Sequence, residues 1–220
     1  MEKNLSELVF ILDKSGSMSG KEEDTIGSFN STIKEHIKNE NDVLVTTVLF
    51  SSDQKMIHDR LKINDVKPLD EKQYKVDGCT ALIDAMGDTI THMKNIHKYQ
   101  RKEDIPAHTI FVIITDGMEN ASHKYSSDDV KKLVEQQKEA GWEFIFLGAN
   151  IDSVETARKF SIDEENAINY INDKTGIGKA YEFVSTMTSA AFARPRGVKI
   201  TKNEIRNMRS DVDKDYIKRK

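Results

Sequence analysis

Four short apolar runs punctuate the chain: residues 8–12, Val43–Phe50, residues 109–115 and residues 144–147. The first, third and fourth are continuous rather than alternating and are rich in Val, Ile and Phe, the pattern of strands buried on both faces. Between them lie segments with helical spacing. Ile26, Phe29, Ile33 and Ile37 mark one helix, and Leu82, Met86, Ile90 and Met93 a second. Val130, Leu133 and Val134 mark another, and Ile177, Ala180, Tyr181, Val184, Met187 and Ala191 a last one. Ser19 with Glu22, and Asp152 with Glu155, have the form of helix starts, and Gly141 after Ala140 reads as a helix stop.

Met56, Ile57, Leu61 and Ile63 alternate loosely with polar residues soon after the second run. A short connection between two strand-like runs predicts a hairpin with an antiparallel edge strand. Residues 167–171 form a candidate sixth strand. The order is then β-α-β-β-α-β-α-β-α-β-α, which predicts an α/β, doubly wound, mostly parallel sheet with helices on both faces. In such sheets ligands gather at the carboxyl ends of the strands. The charged, weakly patterned stretch 194–220 reads as a solvated tail or loose helix beyond a domain of residues 1–193.

The chain has 220 residues, enough for one full core, with 37% apolar and 32% charged residues. A net charge of −4 gives no basic excess for nucleic acid or an anionic membrane surface. No apolar stretch approaches a membrane span, and residues 1–12 lack the long apolar core of a secretory leader. With a single cysteine, Cys79, no intrachain disulfide can form. These features together predict a cytoplasmic protein. Cys79 reads as a small buried side chain, and the six histidines show no metal-ligand spacing and read as surface residues.

The candidate chemistry lies just after the first strand. Asp13-Lys14-Ser15-Gly16-Ser17 places one carboxylate and two hydroxyls on alternate positions of a turn. If the sheet is parallel, two further segments reach the same rim: Thr80 at the mouth of the second helix, and Asp116 after the third apolar run. Five oxygen donors without Cys or His suit a hard cation, Mg²⁺ or else Mn²⁺ or Ca²⁺. Two carboxylates and three neutral hydroxyls leave a divalent ion electrophilic on its open side. That predicts capture of an acidic side chain, Asp or Glu, from a partner protein.

The nearby Gly-containing sequences are not enzyme signatures. Residues 16–20 carry Met18 where a nucleophile elbow needs Ser, and Gly20-Lys21-Glu22 is not a phosphate loop. The alternative to a binding module is a metal-dependent phosphate-ester hydrolase. It needs a base near the ion, and Glu119 is the nearest candidate in sequence. Met18, Met118, Glu119, Asn120 and Asn150 follow strand ends or metal residues and are candidates for a partner-contacting rim.

Asp13-x-Ser15-x-Ser17, Thr80 and Asp116 within Thr115-Asp116-Gly117 are together similar to the metal-ion-dependent adhesion site of the von Willebrand factor type A family. The resemblance covers about residues 5–190 and looks closest to stand-alone intracellular bacterial and phage forms. It implies that Ser15 and Ser17 ligate the metal directly, that Thr80 does so directly or through water, and that Asp13 and Asp116 hold coordinated waters or bind directly. It also implies a non-enzymatic role in protein binding, in bacteria often beside a ring-forming ATPase. Movement of the last helix, around residues 177–191, when an acidic group enters the metal shell is a further implication.

Overall fold

The computed structural model describes residues 5–39 and 42–220; the first residues of the stretch read for a leader, 1–4, lie outside them. Six strands form one sheet: β1 (Ser6–Asp13), β2 (Val43–Phe50), β3 (Gln54–Lys62), β4 (His108–Thr115), β5 (Glu143–Ala149) and β6 (Ala167–Tyr170). Their spatial order is β3-β2-β1-β4-β5-β6. All neighbours pair in parallel except β2 and β3, the antiparallel edge hairpin expected from the spacing.

The continuous apolar runs are explained by burial on both sides. Leu8, Phe10 and Leu12 of β1 belong to one core layer, and Val9 and Ile11 to the opposite one. The first layer is closed by Phe29 and Ile33 of α1 (Glu22–Lys38) and by Ile177, Val184 and Met187 of α5 (Lys174–Phe192). The second is closed by α2 (Leu82–Tyr99), α3 (Ser127–Glu139) and α4 (Ser153–Lys159), through residues such as Met86, Ile90, Val130 and Ala157. Asp152 caps α4 as its spacing suggests, accepting from the Glu155 amide at 3.0 Å. Ser19 does not cap α1; the N-cap is Lys21, two residues later, and it makes no side-chain cap.

Buried polar groups fasten the layers. Glu7 in β1 is fully buried, with Arg60 Nε of β3 at 2.8 Å and His97 Nε2 of α2 at 2.7 Å from its carboxylate. Three of the histidines expected on the surface are core residues: His36, His58 and His108. A neutral imidazole is tolerated inside where a hydroxyl or carbonyl meets it. His36 Nε2 lies 2.8 Å from Thr188 Oγ1 and ties α1 to α5, and His58 Nδ1 lies 3.0 Å from Thr47 Oγ1. Burial pushes the His36 pKa down to about 4, so it stays uncharged at neutral pH.

Residues 194–220 are not a solvated end. They fold into α6 (Lys202–Met208) and α7 (Ser210–Arg219) and bury Ile200, Ile205 and Val212 in the first core layer. Arg209 holds the segment down by donating to the carbonyls of Glu164 at 3.0 Å and Glu165 at 2.9 Å. A docked segment predicts that Ile205→Ala costs about 2–5 kcal/mol in urea unfolding, the usual range for emptying a buried Ile site. A fraying tail would give a change within about 0.5 kcal/mol.

Candidate metal centre

The register of the two central strands places the site. Leu12 of β1 is opposite Ile114 of β4, so Asp13 and Thr115 leave the sheet side by side. The chain turns away from β1 to β2 on one side and to β4 on the other, and this split opens a crevice at the carboxyl edge. Asp13 is 1% exposed. Its Oδ1 accepts from the Ser15 amide at 2.7 Å and its Oδ2 from Thr115 Oγ1 at 2.6 Å. One carboxylate therefore shapes the loop after β1 and binds it to the end of β4.

The hydroxyls follow from that loop. A short 3-10 turn, Gly16–Met18, brings Ser15 Oγ and Ser17 Oγ to 3.1 Å from each other. Ser17 Oγ in turn donates to Asp116 Oδ1 at 2.5 Å. Thr80 reaches the same point from the second loop. A Cβ built on Gly117 would lie 3.0 Å from Thr80 Oγ1 and 3.2 Å from Ser17 Oγ, so these two hydroxyls flank the space that Gly117 leaves open. All five sequence-predicted donors thus sit on one rim.

Three clasps hold the loops in place. Gly16 N donates to Gly78 O at 3.0 Å, joining the first loop to the second. Thr80 N donates to Asn120 Oδ1 at 2.9 Å while Asn120 N donates to Thr80 O at 3.0 Å, joining the second to the third. Lys14 reaches Ser51 Oγ at 2.9 Å and Asp77 Oδ1 at 2.8 Å and fixes the first loop against the β2–β3 turn and the loop before α2. From below, the buried Tyr74 hydroxyl donates to the Asp13 carbonyl.

Electrostatics define the charge the site favours. Burial raises the Asp13 pKa above the ordinary 3.8, against the opposing bonds from Ser15 and Thr115. Burial also raises that of Asp116, and the Asp13 charge adds to the effect, while bonds from Ser17 and Asn172 work the other way. Two buried carboxylates close enough for one to raise the pKa of the other favour a cation between their loops. The donor set agrees with a hard one. Every donor on the rim is an oxygen, the ligand type that hard cations such as Mg²⁺ prefer. Among the described residues no group of three or more His, Cys, Asp or Glu is arranged to hold a metal; the rim offers two carboxylates and three hydroxyls instead.

The rim residues divide. Met118 is 77% exposed, and Asn120 and Asn150 are exposed as well. Met18 is 1% exposed and belongs to the core, because the 3-10 turn points it inward between the two serines and α1. Glu119 is committed elsewhere: its carboxylate accepts from the Ile83 amide in the first turn of α2 and from the amides of Ala121 and Ser122 in its own loop, and so ties that loop to the helix start. Cys79 is exposed, not buried, because Gly78 at φ +69° lifts the loop and the Cys79 amide is fixed on Ser52 Oγ at 2.8 Å. Sequence reasoning passed over Thr115 as a donor to Asp13 and gave no weight to Asn172, whose Nδ2 lies 2.6 Å from Asp116 Oδ2. No periodicity or spacing marks a lone Asn 56 residues away in the chain.

Solved structures with this architecture are many. The chain matches the von Willebrand factor domain of the type V pilus tip protein Mfa5 from Porphyromonas gingivalis with a TM-score of 0.64 and 9% identity, over 91% of this chain and 99% of that one. It matches the SpRpn10 VWA domain with a TM-score of 0.56 and 11% identity, over 80% and 94%. Proximal thread matrix protein 1 from the mussel byssus, described with a zinc-occupied MIDAS motif, matches with a TM-score of 0.59 and 15% identity, over 82% and 47%. The chain spans about half the length of the mussel protein. At these identities the likeness concerns the fold alone. No curated protein matches the chain. The family model of the von Willebrand factor type A domain matches residues 7–190. That span holds all of the sheet but Ser6, α1–α4 and most of α5, and the chain belongs to the von Willebrand factor type A domain family.

Proposed function

We propose that this domain is a metal-dependent protein-binding module that captures an Asp or Glu side chain of a partner protein through Mg²⁺. The observation that carries the reading is the convergence of five oxygen donors from three loops on one rim, with both carboxylates buried and Ser17 open to solvent. The hydroxyls of Ser15, Ser17 and Thr80 would hold the ion, with Asp13 and Asp116 bound directly or through water. The ion supplies a positive centre with room for one more oxygen, and a partner carboxylate is the matching group. Met118, Asn120 and Asn150 would surround that contact, with Met118 giving apolar area beside the charge.

Several findings favour binding over phosphate-ester hydrolysis. Glu119, the one base suggested by sequence, has its oxygens occupied by backbone amides and the Ser122 hydroxyl. Asp13 is likewise used on both oxygens. Neither is free to activate a water. The mussel byssus matrix protein with its zinc-occupied MIDAS motif and the pilus tip domain have similar folds, which supports the same reading. No helix of the described residues is long and apolar enough to cross a membrane.

In a pull-down with Mg²⁺ present, the wild-type domain should retain a partner that the Ser15→Ala/Ser17→Ala variant loses, and chelation should release it. Equal retention by both would sink the reading. Calorimetric titration gives a second check. Gly117→Ala introduces a Cβ at 3.0 Å from Thr80 Oγ1, in the space between the hydroxyls. It should weaken Mg²⁺ binding at least tenfold.

The stabilisation by Mg²⁺ should also depend on pH. The raised pKa values of Asp13 and Asp116 mean that the metal-free fold is least penalised when both are protonated and loses stability as pH rises through them. A cation offsets that loss. Its effect on the melting temperature should be full near neutrality and shrink as pH falls into the carboxylate range. A pH-independent shift would argue against these two groups as the ion's anionic partners.

A further inference from the structure

The segment between β6 and α5 touches both the candidate metal site and the C-terminal helix. Asn172 Nδ2 donates to Asp116 Oδ2 at 2.6 Å, on the side of the carboxylate away from Ser17. The orientation of this amide is forced: its Oδ1 is buried without a hydrogen-bond partner, and turning the amide over would set that oxygen against the carboxylate. The next residue, Asp173, uses one oxygen to cap α5 by accepting from Gly176 N at 2.8 Å. Its other oxygen accepts from Arg219 near the end of α7. Arg219 also pairs with Asp215, which takes Lys179 of α5 at 3.1 Å.

The joint has little slack. Asp173 N donates to Ile171 O at 2.8 Å, and a Cβ on Gly176 would lie 2.0 Å from that same carbonyl. The first turn of α5 is therefore packed directly on the backbone beside Asn172. A change in where α7 holds Asp173 cannot be absorbed locally and passes to the Asn172 amide.

Resting on the metal-binding reading above, we propose that Asn172 is a positioning residue of the metal site and that Arg219 of α7, acting through Asp173, sets its place. Asp116 has one oxygen for the ion side, shared with Ser17, and one held by Asn172. Without the amide the carboxylate is free to turn, and the shell around the ion loses a fixed corner. Helix α7 lies beyond the residues matched by the family model. A partner that displaces α7 would weaken the hold on the metal and on its acidic ligand together.

A double-mutant cycle on the full chain, read by calorimetric titration with Mn²⁺ or Mg²⁺ alone, tests the joint. Asn172→Ala is expected to weaken binding about tenfold and Arg219→Gln about threefold, with the double variant no more than about twofold weaker than Asn172→Ala. Arg219→Lys, which keeps a charge for Asp173, should recover most of the loss. Metal-free melting temperatures should stay within about 2 °C of wild type, as for a largely exposed ion pair. Independent effects, near thirtyfold in the double variant, would overturn the coupling while leaving the metal site intact. So would an Arg219→Gln variant that binds like wild type, or weakening that merely follows lost melting temperature. A wild-type chain that binds neither ion would overturn the metal site itself and the coupling with it.

Discussion

Two carboxylates buried within reach of each other at the edge of a sheet are the constraint around which this domain is arranged. Each is costly alone, and each raises the cost of the other. The chain meets that cost in stages. Register brings Asp13 beside Thr115, whose hydroxyl takes one oxygen. The turn after β1 then supplies the Ser15 amide for the other. Asp116 is met by Ser17 from one side and by Asn172 from the other. These neutral donors lower the cost without cancelling the charge, and the balance is what a divalent ion can supply.

The same constraint explains why the loops are clasped so tightly. Hydroxyl ligands carry no net charge, so their affinity for an ion depends on being held at the right spacing beforehand. The paired bonds between Thr80 and Asn120, and the Lys14 anchor on Ser51 and Asp77, serve that end. Glu119 does so less directly by fixing the start of α2, next to Thr80. What looked in the sequence like a base or a contact residue is a structural anchor.

The parts of the fold written in long patterns were legible. Strands buried on both faces leave an unbroken apolar run, and amphipathic helices leave a period, so all six strands and α1, α2, α3 and α5 are readable from residue order. The site was legible because its motif is local in three places and topology does the rest. What escaped was carried by single residues or sparse spacing. Ile200, Ile205 and Val212 are five and seven positions apart among charged neighbours, too thin a pattern to mark two docked helices. His36 and His58 looked like surface residues because their buried partners, Thr188 and Thr47, lie elsewhere in the chain. Cys79 faces outward because of the backbone at Gly78, which no side-chain pattern encodes.

The C-terminal helices matter for a reason beyond added burial. A sheet edge that must hold two anions next to each other carries an electrostatic cost, and its geometry is decided by whatever touches those anions from outside the sheet. Most of those contacts come from loops rooted in β1, α2 and β4, which the central sheet holds rigidly. Asn172 is different, because its support is the short edge strand β6 and the first turn of α5, and both of these are packed against α7. The site therefore has one adjustable corner among fixed ones. A change in the packing of a peripheral helix can reach the ion there without disturbing the core.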